Sequence, residues 1–178
     1  MLDRPHHGGN LGWAADIAGC PAFSLLDFSA SINPLGPPPD VLAAIQTAFV
    51  DLSHYPDPDY VHLRQAIAAH HDLDWDWVLP GNGSAELLTL AGRTFADLAS
   101  TNLVTPAFGD YGRSWRGSGA ALTLIPWTVG NPWPWSVLQR DAGKHQGLIL
   151  NNPHNPSGVL LSRQAILELL PGYRWVLI

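Results

Sequence analysis

Short apolar runs that each end in a turn signal, with helix patterns between them, constrain this chain more than any other feature. The strand candidate Asp76–Leu79 leads into the turn Gly81-Asn82-Gly83, and the run NLVTP at 102–106 precedes a helix pattern from Gly109 to Ser118. ALTLIPW at 121–127 is followed by an irregular stretch with a short helix near Ser136. GLILNNP at 147–153 precedes a helix pattern from Ser162 to Leu170, and YRWVLI at 173–178 comes last. Consecutive parallel strands need a crossover that a helix supplies, so this alternation predicts an α/β layer architecture with a mostly parallel sheet. No internal repeat or low-complexity tract interrupts it.

The front of the chain reads differently. From Met1 to about Pro39 glycine and proline are dense, with HGGN at 7–10 and SINPLGPPP at 31–39 on either side of the strand-like LLDFSA. Asp40 is placed to cap a helix running through Phe49, with Val41, Ala44, Ile45, Ala48 and Phe49 at helical spacing. SHYPDPDY breaks it. A second helix pattern covers Tyr60 to His71 on Leu63, Ala66 and Ile67, and a third opens at Ser84 with Leu87, Ala91, Phe95 and Leu98 on one face.

Composition narrows the function classes. Of 178 residues 46% are apolar and 13% charged, which is enough to bury a core, and the net charge is −6 with no basic run to track a phosphate backbone. Nucleic acid is not an expected partner. Cys20 is the one cysteine, expected to be buried, and its isolation points to a reducing compartment. No stretch approaches the ~20 apolar residues of a membrane span, so a soluble, cytoplasmic protein with no membrane partner and no metal site is expected. Eight tryptophans are present, of which Trp127, Trp133 and Trp135 fall in a proline-rich stretch that reads as a surface connection.

Three run ends carry groups with chemistry. Leu79-Pro-Gly-Asn-Gly-Ser-Ala-Glu86 sets two glycines at a helix start, where free N–H groups and the helix dipole suit a phosphate; taken alone it is equally a tight connection. Asn151-Asn-Pro-His-Asn-Pro-Ser-Gly158 follows an apolar strand, at the end where ligands bind in open α/β sheets, or is simply a proline-rich loop with its asparagines satisfying backbone groups. Thr105-Pro-Ala-Phe-Gly-Asp-Tyr111 offers Phe108 or Tyr111 as a flat face for a ring. One chain with a phosphate cradle, an aromatic plate and an amide at three such ends is less easily a coincidence than any of them singly.

These motifs together resemble the class I and II aminotransferases, enzymes of the aspartate-aminotransferase fold that use pyridoxal 5'-phosphate (PLP), and within them the subgroup of histidinol-phosphate aminotransferases and threonine-phosphate decarboxylases. The resemblance implies that Gly83 and Ser84 donate to the PLP phosphate, that Phe108 stacks on the pyridine ring, and that Asn155 bonds its phenolic oxygen. It implies that Tyr55, in HYPDPDY, reaches the phosphate in the neighbouring subunit of a homodimer. His7-Gly-Gly-Asn and Asp27-Phe-Ser-Ala-Ser-Ile-Asn-Pro-Leu-Gly36 are similar to the decarboxylases, which implies that His7, Gly8 and Asn33 contact a small amino-acid phosphate. The implied product is aminopropanol phosphate for cobalamin synthesis. An aminotransferase of the histidinol-phosphate type and a non-catalytic α/β fragment are the alternatives.

The same resemblance divides the chain into residues 1–50, an arm and first helix of the small domain, and residues 51–178, a truncated PLP-binding large domain. Ala85 and Ser157 depart from the commoner polar residue and threonine at their positions. In the family the strand resembling YRWVLI continues into an Asp-Glu-Ala segment, and the Schiff-base lysine and carboxylate-binding arginine lie further on. None of the three is present. Lys144, the one lysine, sits in no matching motif, so no catalytic residue is assigned, and a chain halting inside an apolar strand is expected to be a fragment that is inactive alone.

Overall fold

The central apolar runs of the second half become strands because their side chains alternate between two buried faces. In the computed structural model, which describes residues 8–178, the strands are β1 (Ser100–Thr105), β2 (Leu122–Pro126), β3 (Gly143–Ile149) and β4 (Tyr173–Leu177). All pairings are parallel and the order is β2-β1-β3-β4, with Leu103 opposite Leu124 on one side and Ile149 on the other. The predicted α/β class with a mostly parallel sheet is what is found.

Neighbouring side chains on one strand enter opposite cores. Leu103 and Ile149 pack with Leu88, Phe95 and Trp115 beneath α4 (Gly83–Phe95) and α5 (Gly109–Ser118). Val104, Leu148 and Leu150 pack with Leu138, Ile166 and Leu169 beneath α6 (Trp135–Arg140) and α7 (Arg163–Leu169). Helices therefore cover both faces. Where α4 crosses α5 a side chain on Gly92 would come within 2.7 Å of Ser118 Oγ and 3.0 Å of the Ser114 carbonyl, so glycine allows the two backbones to approach.

Residues up to Asp59 and residues from Tyr60 onward form two separate units. The second unit begins with α3 (Val61–His71), tied to the segment 75–78 by Arg64, whose guanidinium donates to the Val78 and Trp75 carbonyls at 3.1 Å and lies over the Trp75 ring. The expected strand at Asp76–Leu79 is instead a 3-10 turn, Trp75–Trp77, with extended backbone at Val78. Extended residues become a strand only by pairing, and among the described residues this segment has no ladder partner.

The first unit holds α1 (Leu11–Ala18) and α2 (Pro39–Thr47). The Asn10 side chain accepts the Trp13 N–H at 3.0 Å to start α1, and Gly19 ends it at φ 64°. The second helix starts two residues earlier than a cap at Asp40 implies, at Pro39, with Asp40 in its first turn; Ala48 and Phe49 belong to a 3-10 segment, Ala48–Ser53. LLDFSA forms no strand, again for want of a partner among the described residues. Cys20 is half-buried rather than buried, because no described residue of this unit is buried at all.

Candidate functional site

The chain goes from β1 outward to β2, then returns across β1 to lay down β3 and β4, so the strand order reverses between β1 and β3. Two connections leave the sheet in opposite directions at such a point and open a crevice beyond the carboxyl ends of the strands, where open α/β sheets take ligands. The two loops that leave these ends are 105–108, after β1, and 150–155, after β3. Phe108 and Asn155 are on them.

Phe108 is half-buried, packed on the core beneath α4 and α5, and meets Tyr111 edge to face at 5.9 Å. Burial pushes the Tyr111 phenol above its ordinary range, so it stays uncharged beside the ring. The loop after β3 is held by its own polar groups. Asn152 accepts the Leu161 N–H at 2.8 Å and donates to its carbonyl at 3.3 Å, Asn151 Oδ1 accepts the Asn155 N–H at 2.8 Å, and His154 Nδ1 lies 2.7 Å from Ser157 Oγ. The exception is the Asn155 side chain, which is exposed and makes no hydrogen bond among the described residues. It is a free amide on a braced loop.

The turn Gly81-Asn82-Gly83 begins α4. This helix reaches β1 through four residues and packs against it in one cluster, so it runs back along the strand. Thirteen helical residues rise about 20 Å, close to the rise of the six-residue strand. The start of α4 is thereby on the same side of the sheet's edge as the carboxyl end of β1. Gly83 has φ 73° and its N–H donates to the Gly81 carbonyl at 2.9 Å; the Glu86 carboxylate accepts the Asn82 N–H at 2.6 Å and its side-chain amide at 3.1 Å. The N–H groups of Ser84 and Ala85 and the Ser84 hydroxyl have no partner among the described residues. Gly83 is thus engaged within the turn, and the open donors belong to Ser84 and its successor.

In the first unit the two motifs of the arm meet. The Gly9 N–H donates to Ser29 Oγ at 2.8 Å, and Ser29 donates through its N–H and hydroxyl to Asp27, at 2.8 and 2.6 Å. Those bonds hold the Asp27 carboxyl below its ordinary value. Gly8 lies so close to Ser29 that any Cβ would collide with the Ser29 carbonyl. Asn33 accepts the Leu35 N–H at 3.0 Å and donates to the Gly36 carbonyl at 3.4 Å, closing the turn it starts. Tyr55 is fully exposed. His7 lies outside the described residues. Lys144 sits on β3 five residues before Ile149, about 17 Å from the carboxyl end, and a lysine side chain spans roughly 6 Å. It does not reach the crevice.

Trp127, Trp133 and Trp135 are half-buried against the core beneath α6 and α7 rather than forming a surface connection, since the stretch folds back over Leu138 and the loop after β3. Trp127 and Trp133 flank His154, to which the sequence alone assigned no role, their rings meeting it at 5.7 and 5.0 Å. An imidazole between two X-Pro pairs was the available signal, and its meaning depended on indoles more than twenty residues away.

Comparison with known proteins accords with this geometry. The family model for class I and II aminotransferases matches residues 24–178. The threonine-phosphate decarboxylase of Salmonella typhimurium is 38% identical over 162 residues, covering 88% of this chain and 43% of that protein. A histidinol-phosphate aminotransferase of Sphingopyxis alaskensis is 37% identical over 159 residues, covering 87% and 43%. Among solved structures, the histidinol-phosphate aminotransferase from Clostridium acetobutylicum superposes with a TM-score of 0.71 at 25% identity, covering 83% of this chain and 43% of its own. The chain therefore spans somewhat under half the length of these relatives.

Proposed function

Because this chain belongs to the class I and II aminotransferases, we propose that it supplies the PLP phosphate cradle, ring plate and phenolic-oxygen contact of a threonine-phosphate decarboxylase. The observation that carries the reading is the Asn155 amide, which no described residue engages, on one of the two loops that leave the reversal point, with Phe108 on the other. The residues present fit the cofactor. Ser84 and the N–H groups behind it suit a phosphate dianion, with the helix dipole adding to their attraction; Gly83 serves through the φ that turns the chain. Phe108 offers the ring a face, and Tyr111 stays neutral behind it. Asn155 donates to the phenolic oxygen.

When bound, PLP supplies an electron sink for the bond broken at the amine-bearing carbon. This chain's own groups orient that ring and exclude water from one face of it. The lysine that engages the cofactor is not among them, since Lys144 does not reach the crevice. His7, Gly8 and Asn33 are proposed to meet the substrate phosphate and carboxylate. What supports this is that the two arm motifs bond each other through Gly9, Ser29 and Asp27. In that reading Tyr55 crosses to a second subunit of a cytoplasmic homodimer, and residues 1–50 and 51–178 are the parts of the small and large domains.

Transamination of histidinol phosphate is the second reading, favoured by the 37% identity to such an enzyme. The experiment has two stages. In a version extended to full length, Asn155→Ala should weaken PLP binding, followed by tryptophan quenching, about 5- to 150-fold, which corresponds to a charge-assisted hydrogen bond of roughly 1–3 kcal/mol. Unchanged binding removes the assignment. In the full-length protein containing these residues, carbon dioxide release from threonine phosphate should exceed glutamate formation from histidinol phosphate and 2-oxoglutarate. The reverse order selects the second reading.

A further inference from the structure

His154 is 3% exposed and bonds to Ser157, Gly158 and Val159 of the loop that carries Asn155. Its N–H donates to the Val159 carbonyl at 2.8 Å, and its own carbonyl accepts the Gly158 N–H at 2.6 Å, so residues 155–157 are strung between the two backbone bonds of one residue. Its Nδ1 meets Ser157 Oγ at 2.7 Å, and that hydroxyl also accepts the Val159 N–H at 3.3 Å. The ring is wedged edge-on against Trp127 and Trp133, which themselves pack on the core. Nε2 has no partner that meets hydrogen-bond geometry among the described residues, although the carbonyls of Val104 and Pro106 at the end of β1 face the ring. A buried nitrogen left unpaired in this way is unfavourable, and it calls for a reason.

We propose that His154 is a positioning residue: clamped between the Ser157 hydroxyl and the Trp127 and Trp133 indoles, it holds the loop after β3 in place and thereby aims the Asn155 amide into the crevice. The groups facing the ring are the two indoles, the Ser157 hydroxyl and the Val104 and Pro106 carbonyls. All are neutral, and no charged side chain contributes to its titration. Burial holds the imidazole below its ordinary value of 6.5, with the two carbonyls acting the other way. Since the closed loop disfavours the charged ring, the clamp is at full strength above 6.5. As pH falls below that value, an open state with a hydrated imidazolium gains population, by up to about tenfold per pH unit until the closed form also takes a proton. The consequence for the cofactor rests on the proposed contact between Asn155 and the phenolic oxygen; the clamp itself does not.

The test uses the ligand-free chain. On lowering pH from neutral, NMR should show the His154 ring, the Asn155 side-chain amide and the protection of the Asn155 N–H changing together, with one midpoint below 6.5. His154→Gln should remove that pH dependence. Ser157→Ala, which deletes the ring's partner and leaves the core alone, should lower Asn155 protection several-fold at neutral pH and provides the answer should the first variant not fold. Asn155 signals that stay constant while His154 titrates, or the same profile in His154→Gln, overturn the proposal. Loss of PLP binding by Asn155→Ala is read separately, so failure of the cofactor assignment leaves the loop titration standing as its own result.

Discussion

Residues 8–59 and residues 60–178 are shaped by the same kinds of local signal, yet only the second group buries anything. In the first, Asn10 caps α1, Gly19 ends it, Pro39 opens α2 and Ser29 braces the arm on Asp27. Phe23, Phe28 and Leu35 are nonetheless about nine-tenths exposed. In the second, Trp115, Leu138 and Leu148 are fully enclosed. Short-range hydrogen bonds are enough to set a conformation, whereas a core requires surfaces that cover one another. Four parallel strands with helices on both faces provide them within residues 60–178.

The largest effect that bears on this contrast is the loss of a core ring. Trp115→Ala should destabilise the second unit by about 3–5 kcal/mol in urea unfolding, while Phe28→Ala should change the midpoint by no more than about 0.5 kcal/mol. A comparable loss at Phe28 would mean that the arm is covered in solution and would end the contrast. A smaller effect sharpens it. Asn10→Ala removes the acceptor of the Trp13 N–H and should cost α1 about 1 kcal/mol, seen as faster exchange of its amides with no change in the core's unfolding.

The smallest effect lies in the arm's own brace. Asp27 is held below its ordinary 3.8 by the Ser29 hydroxyl first and the Ser29 N–H second. Its folded value is depressed, so the brace is intact above 3.8 and loosens as pH falls through the lower value. Ser29→Ala should move the Asp27 carboxyl titration, followed by NMR, back toward 3.8. An unmoved titration would mean that the contact between Gly9 and Asp27 through Ser29 is not held in solution.

What the sequence determined by itself is the local part. The period of apolar residues marked α3 and α4, and the apolar runs marked the strands from β1 onward to within a few residues with α5 between two of them, because burial on one or two faces imposes such patterns directly. The turn before α4, the aromatic after β1 and the Asn155 loop were each readable as chemistry, since glycine, proline and asparagine at strand ends have few other uses. The strand expected at Asp76–Leu79 and the one in LLDFSA failed for the opposite reason: extended residues need a partner, and pairing is not encoded in the segment that seeks it. Only the tertiary structure decided that β1 lies between β2 and β3, which puts Phe108 and Asn155 at one reversal point. It also decided that Trp127 and Trp133 close on His154, because contacts between residues more than twenty positions apart depend on where the sheet sets their loops, and no local preference specifies that.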